Sequence, residues 1–221
     1  MIDICVTHFG EKYSSKYIDN LQNGIARNYS GDFNFIVKTD CPNGHWDKIS
    51  FFKRQDPCIV MDIDIIINGN LDDLFNYDIV ENHIGAFPRW WKNTGCKYNG
   101  GFYKINPGYN QLAVYDKFYS NPDFWINHYG KLVGTMGMGE QNFVTDSSYF
   151  IEELPGKWLG IHTEGSSRNN KDIINKYYDY YNKPLITQEK FGDQIKLVHF
   201  IYDDNMIEDK AEWVQKIWNT T

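Results

Sequence analysis

No stretch of the sequence stays apolar for the ~18 residues that a membrane span needs, so no transmembrane segment is expected. The opening residues, MIDICVTHFG, lack both a basic start and a long apolar core. No signal peptide is therefore expected, and the protein is assigned to the cytoplasm. Cysteine is scarce: Cys5, Cys41, Cys58 and Cys96 are the whole supply, and no two stand in a CxxC spacing. That excludes the usual zinc and dithiol signatures and reads as four reduced thiols. Basic residues are outnumbered 22 to 29, which leaves a net charge of −7. Such a surface repels a phosphate backbone, so nucleic acid is not an expected partner. A Gly-Lys-Ser/Thr phosphate loop is absent. So are internal repeats and low-complexity tracts.

Aromatics, in contrast, are plentiful at 17%, with 16 Tyr and 7 Trp. That composition suits stacking against sugars and suits an aromatic core equally well. At 221 residues the chain is long enough for one domain with a substantial core. Residues 2–8 read as a strand. Tyr17, Ile18, Leu21, Ile25 and Tyr29 recur at helical spacing and predict an amphipathic helix over 15–29. Residues 32–38 read as a second strand. A β–α–β opening predicts an α/β fold with a mostly parallel sheet flanked by helices. Ligands on such sheets bind beyond the carboxyl ends of the strands. Thr7 and His8, Thr39 and Asp40, and Asp62 with Asp64 all stand at such ends.

The central stretch is residues 58–75, CIVMDIDIIINGNLDDLF. An apolar strand runs into Asp62 and Asp64, which as i and i+2 of a strand face one side. Two unpaired carboxylates beside Ile, Val and Met would cost several kcal/mol, roughly, and a divalent cation would offset that. The alternative is a strand that ends at the surface with two solvated acids. Further on, the pattern predicts a short helix over 45–52 and strands at 83–87 and from 98 onward. It then predicts a helix over 107–120, an irregular aromatic segment over 122–132 and a Gly-rich loop leading into a helix at Glu140. Strands at 158–162 and 196–200 and helices at 170–181 and 208–218 complete the reading.

MDID, the apolar run after it and Asn68-Gly69-Asn70-Leu71-Asp72-Asp73-Leu74-Phe75 together resemble the DxD region of GT-A glycosyltransferases, in particular family 8 and its small bacterial and viral relatives. The resemblance implies one Rossmann-like GT-A domain over residues 1–221. Its activity would be hexosyl transfer from a nucleotide diphosphate sugar, a UDP-sugar, to a hydroxyl of a glycan or glycoside. Asp62, Ile63 and Asp64 match the DxD segment. Lys196-Leu197-Val198-His199-Phe200 resembles the closing strand whose histidine is the third ligand of Mn²⁺ or Mg²⁺. Thr7, with His8 beside it, matches the strand end near base and ribose, and Asp40 matches an acid that bonds uracil or ribose. A turn or cap role is the other reading of Thr7 and Asp40. Lys48 matches a basic position near the diphosphate, or is simply a lysine on an amphipathic helix. Asn99-Gly100-Gly101 resembles the stretch that contacts the donor sugar, or else forms an Asn-Gly hairpin turn. Glu140 stands where the family has Asp and is the candidate general base of an inverting transfer. In a retaining transfer, as in family 8 proper, no base of that geometry is needed and Glu140 is a structural stand-in for that Asp. Gln141 is the candidate for the face of the donor sugar. The family's lysine after the closing strand is missing here, with Lys53, Arg54, Arg89 and Arg168 as possible substitutes. Two other functions fit the motif: a catalytically inactive nucleotide-sugar-binding module, and an Asp-x-Asp phosphatase.

Overall fold

The computed structural model describes residues 1–92, 95–130, 139–162, 170–201 and 206–220, with Asn170 as backbone only. In chain order the elements are β1 (Ile2–Thr7), α1 (Ser15–Asn28), β2 (Phe33–Lys38), a 3-10 helix (Gly44–Lys53), β3 (Cys58–Met61), β4 (Ile65–Ile67), α2 (Asp72–Phe75), β5 (Ile84–Pro88), β6 (Tyr98–Ile105), α3 (Tyr109–Ser120), α4 (Pro122–Gly130), α5 (Glu140–Ser147), β7 (Ile151–Glu153), β8 (Leu159–His162), α6 (Asn170–Tyr181), β9 (Leu197–Phe200) and α7 (Glu212–Asn219). The chain forms two compact units from alternating segments. The first takes Met1–Gly10, Asp32–Asp62 and Asp78–Leu154, and the second takes Glu11–Gly31, Ile63–Tyr77 and Pro155–Thr221. Among the described residues no helix is long and apolar enough to cross a membrane.

The first unit is built on a six-stranded sheet in the order β2-β1-β3-β6-β5-β7. The pairs β1–β2, β1–β3 and β5–β7 are parallel; β6 is antiparallel to both β3 and β5. Five strands thus run one way and β6 alone runs the other, so the sheet is mostly parallel as expected. All eight residues of β6 are buried, as a central strand between two neighbours requires. Asn99-Gly100 lies inside this strand, so it makes no hairpin turn. On one side of the sheet Trp46 stacks on Phe118 with centroids 5.6 Å apart, and Phe143 packs against both rings. The segment expected to be irregular is helix α4. Asn121 accepts a hydrogen bond from the Phe124 N–H at 3.1 Å, and Pro122 opens the first turn, which together form an ordinary helix start. Phe124 and His128, four residues apart, stack with centroids at 5.9 Å. The aromatic content of this segment serves a helix, not a loop.

The second unit has a three-stranded sheet in the order β4-β9-β8. β9 is antiparallel to β4 and parallel to β8. The β8–β9 connection carries α6, the crossover that parallel neighbours require. Helix α1 lies against β4, and Gly24 makes the approach possible. A Cβ there would stand 3.0 Å from the Ile67 side chain. Tyr17, Leu21 and Ile25 form the buried stripe of α1, and Tyr17 packs against Trp218 of α7 with centroids 4.9 Å apart. The helix expected over 208–218 is interrupted. A 3-10 turn over Ile207–Asp209 precedes α7, and the Gln215 amide donates to the carbonyls of Glu208 and Lys210 across the break.

Candidate active site

The first unit brings three strand ends to one edge of its sheet. In register, Thr7 faces Lys38 and Val6 faces Met61, so β1, β2 and β3 finish side by side. Thr7 is buried, and the N–H of His8 carries the ladder one step further to the Lys38 carbonyl at 2.9 Å. Asp40 stands exposed two residues past β2. Asp62 follows β3 directly and donates its N–H to the Gly101 carbonyl at 2.9 Å.

Around Asp62 the unit assembles a buried charge network. The Lys48 ammonium, from the 3-10 helix, donates to the Asp62 carboxylate and, at 3.0 Å, to the Gly100 carbonyl. It also lies 3.6 Å from Oε2 of Glu140. Lys48 is 3% exposed, so it is no solvated surface lysine. Glu140, the first residue of α5, is 4% exposed and accepts a hydrogen bond from the Tyr103 hydroxyl at 3.1 Å. Burial pushes its carboxyl up from the ordinary glutamate range to about 7; Lys48 opposes that shift and Asp62 adds to it. The neighbouring Gln141 accepts the Gly100 N–H on its Oε1 at 2.9 Å. Its Nε2 is buried without a hydrogen-bond partner among the described residues. Asn99 is buried and turns its Oδ1 back onto the Gly101 N–H at 3.0 Å. The close approach at Gly100 comes from α5. A Cβ on Gly100 would stand 2.8 Å from Cβ of Gln141 and 3.1 Å from Oε2 of Glu140. The close approach that this strand glycine permits is thus made by the Glu140–Gln141 helix start.

In the second unit, β4 and β9 set Asp64 beside His199. The Phe200 N–H donates to the Asp64 carbonyl at 3.0 Å, and Ile65 pairs with His199. His199 Nε2 lies 3.2 Å from Oδ1 of Asp64, and the Tyr13 hydroxyl donates to Oδ2 at 2.9 Å. Ile63 is 5% exposed. One expectation needs correction: the two aspartates do not share a strand. Met61 is the last residue of β3 to pair, opposite Phe102, and Ile65 is the first of β4, opposite His199. Residues 62–64 belong to neither strand, so side-chain alternation does not set their directions. What holds the two carboxylates near each other is the chain, with one residue between them. Asp62, Asp64 and His199 are a group whose ligand atoms all lie within 4.8 Å of one another and could hold a metal ion. Two carboxylate oxygens and one imidazole nitrogen suit Mg²⁺ or Mn²⁺ better than a structural zinc.

Three of the basic residues considered as diphosphate grips are otherwise engaged. Arg54 pairs with Asp3, Lys53 lies over the Tyr115 ring at 5.6 Å, and the buried Arg89 donates to the Cys96 carbonyl at 3.1 Å. Arg168 falls outside the described residues, as do residues 134–138 of the Gly-rich loop and residues 202–205 after the closing strand. Sequence reasoning missed Tyr103 and Tyr13. Nothing in the sequence sets them apart from fourteen other tyrosines; only the fold brings them to carboxylates.

No family model and no curated protein matches the sequence. Solved structures do. The glycosyltransferase GlyE of Streptococcus pneumoniae TIGR4 superposes with a TM-score of 0.59 at 15% identity, over 99% of this chain and 60% of that one. The galactosyltransferase LgtC, solved with donor and acceptor sugar analogues, gives 0.54 at 11% identity, over 99% of this chain and 96% of that one. Mouse xyloside xylosyltransferase 1 gives 0.54 at 12% identity, over 93% and 99%. The fold is that of the GT-A glycosyltransferases. At such low identity the likeness is one of fold. This chain spans only 60% of GlyE, yet nearly the whole of LgtC. Within the GT-A fold, the carboxyl ends of β1, β2 and β3 carry Thr7, Asp40 and Asp62.

Proposed function

We propose that this chain is a metal-dependent glycosyltransferase. It moves a hexose from a UDP-sugar to a hydroxyl of a glycan or glycoside, in the cytoplasm, with residues 1–221 acting as one GT-A domain. The observation that carries the reading is the Asp62, Asp64 and His199 group on a chain with the GT-A fold. The Asp-x-Asp phosphatase alternative is not favoured, because the structural neighbours are glycosyltransferases.

Asp62, Asp64 and His199 would hold the cation. When bound, Mn²⁺ or Mg²⁺ supplies positive charge against the diphosphate as it departs. Thr7, His8 and Asp40 stand at the strand ends that would receive the nucleoside. Lys48, already bonded to Asp62, places a second positive charge at the diphosphate end of the donor. Ile63, Asn99, Gly100 and Gln141 would line the sugar, and Nε2 of Gln141, which has no hydrogen-bond partner among the described residues, is a donor suited to a sugar hydroxyl. Glu140 has the pKa of a base that works near neutrality, about 7. In this role it takes the proton of the acceptor hydroxyl. Its burial keeps water from competing for that proton.

The deciding experiment is turnover of a panel of labelled nucleotide-sugars with Mn²⁺, for the wild type, Asp62→Asn and Asp64→Asn. Transfer by the wild type and loss in both variants are expected. Donor binding without any turnover would make the chain an inactive binding module, and unchanged transfer in both variants would sink the metal-dependent reading.

A further inference from the structure

We infer that Tyr103 is a positioning residue for Glu140, holding one carboxylate oxygen so that the other is the one presented to the acceptor. The inference deepens the reading of Glu140 as general base and rests on it. The last torsion of a glutamate side chain is soft and roughly two-fold, so its partners must impose the orientation of the carboxylate. Here each oxygen has a different partner. Oε1 accepts the Tyr103 hydroxyl at 3.1 Å, and Oε2 faces the Lys48 ammonium at 3.6 Å. Tyr103 is 1% exposed in the middle of β6, with its ring packed edge-on to Phe52 at 5.6 Å. Burial, and after it the Glu140 charge, hold the phenol well above its ordinary pKa. It therefore stays O–H at any working pH and serves only as a donor to the carboxylate. Oε2 is left as the proton acceptor. In the transfer step the acceptor O–H bond breaks and its proton goes to Oε2. The acceptor oxygen's electron pair forms the bond to the anomeric carbon. The bond from that carbon to the diphosphate oxygen breaks, and its electron pair leaves on the diphosphate.

Tyr103→Phe keeps the ring and its packing on Phe52 and deletes only the donor. We expect kcat to fall about tenfold, a part of the roughly 10²–10⁴-fold that a general base supplies, with the KM for the donor sugar unchanged. In a Glu140→Gln background the same substitution should cost nothing further, because its effect runs through Glu140. A second readout needs no activity: the carboxyl ¹³C resonance of Glu140, titrated in metal-free protein. The groups facing this carboxyl are Lys48, Asp62 and Tyr103. Losing the Tyr103 donor removes a contact that favours the charged form, so the midpoint should rise above about 7. A Tyr103→Phe variant that titrates and turns over like the wild type overturns the inference. Equal losses in the wild-type and Glu140→Gln backgrounds would overturn it too, as they would make Tyr103 merely structural. A wild type that transfers no sugar from any donor refutes the glycosyltransferase reading instead, and the titration then still decides whether Tyr103 holds the carboxylate.

Discussion

Glu140 is a carboxyl whose ionisation works against the fold. Its pKa is raised by burial to about 7 in the folded chain, from an ordinary 4.5. Between those two values the folded state binds more protons than the unfolded one, so stability falls as pH rises from about 4.5 to about 7 and is level above. At 1.36 kcal/mol per unit the loss is roughly 3 kcal/mol. Glu140→Gln removes that penalty. Its melting temperature should exceed that of the wild type at pH 8 and converge with it near pH 4.5, in the opposite order to its expected loss of turnover. Asp62→Asn and Asp64→Asn remove one charge each while keeping shape, and should lower transfer by on the order of 10² to 10³ in initial-rate assays. At this scale the sequence was legible where residue type and spacing carry chemistry: Asp62, Asp64 and His199 announce themselves through a motif and a closing strand. Tyr103 does not, because a tyrosine in an apolar strand has the same pattern whether its hydroxyl meets a carboxylate or a carbonyl.

Between elements, two glycines set the spacing. Gly100→Ala would drive a methyl to 2.8 Å from Cβ of Gln141, separating the start of α5 from β6. Overpacking of this kind costs typically 1–3 kcal/mol, about. The variant should melt lower and should also shift the Glu140 titration. Gly24→Ala would press α1 away from Ile67 of β4, to be read as a lower melting temperature with the Glu140 titration unchanged. The period of α1 could be read directly from its buried stripe, and β1, β2 and β9 from short runs rich in β-branched and aromatic residues. The α4 helix could not, because its capping signal, Asn121-Pro122, is two residues long and sits before a segment dense in aromatics. The β3–β4 boundary was missed for a different reason. Six of the nine residues from 59 to 67 are Ile or Val, and apolar residues on both sides of Asp62 and Asp64 hide the point at which the chain changes partners.

For the molecule as a whole, the mass-action test is direct. A nucleotide-sugar with Mn²⁺ at ~100 times its dissociation constant adds roughly 2.7 kcal/mol to the stability of whatever it binds. A thermal-shift panel should therefore show a rise with a UDP-sugar that depends on the metal and disappears in Asp64→Asn. The sheet of the second unit also has a calendar. β4 leaves the ribosome with residues 65–67 and β8 with residues 159–162, yet these two strands never touch; each pairs only with β9, residues 197–200, which lies between them. The strand translated last is the one inserted in the middle. Until then both earlier strands wait with open edges, and Asp64 waits for its histidine through more than a hundred residues of synthesis. A nonsense codon just before residue 197 would thus cost more than a C-terminal tail: it would leave β4 and β8 without a sheet, in a form suited to capture by chaperones.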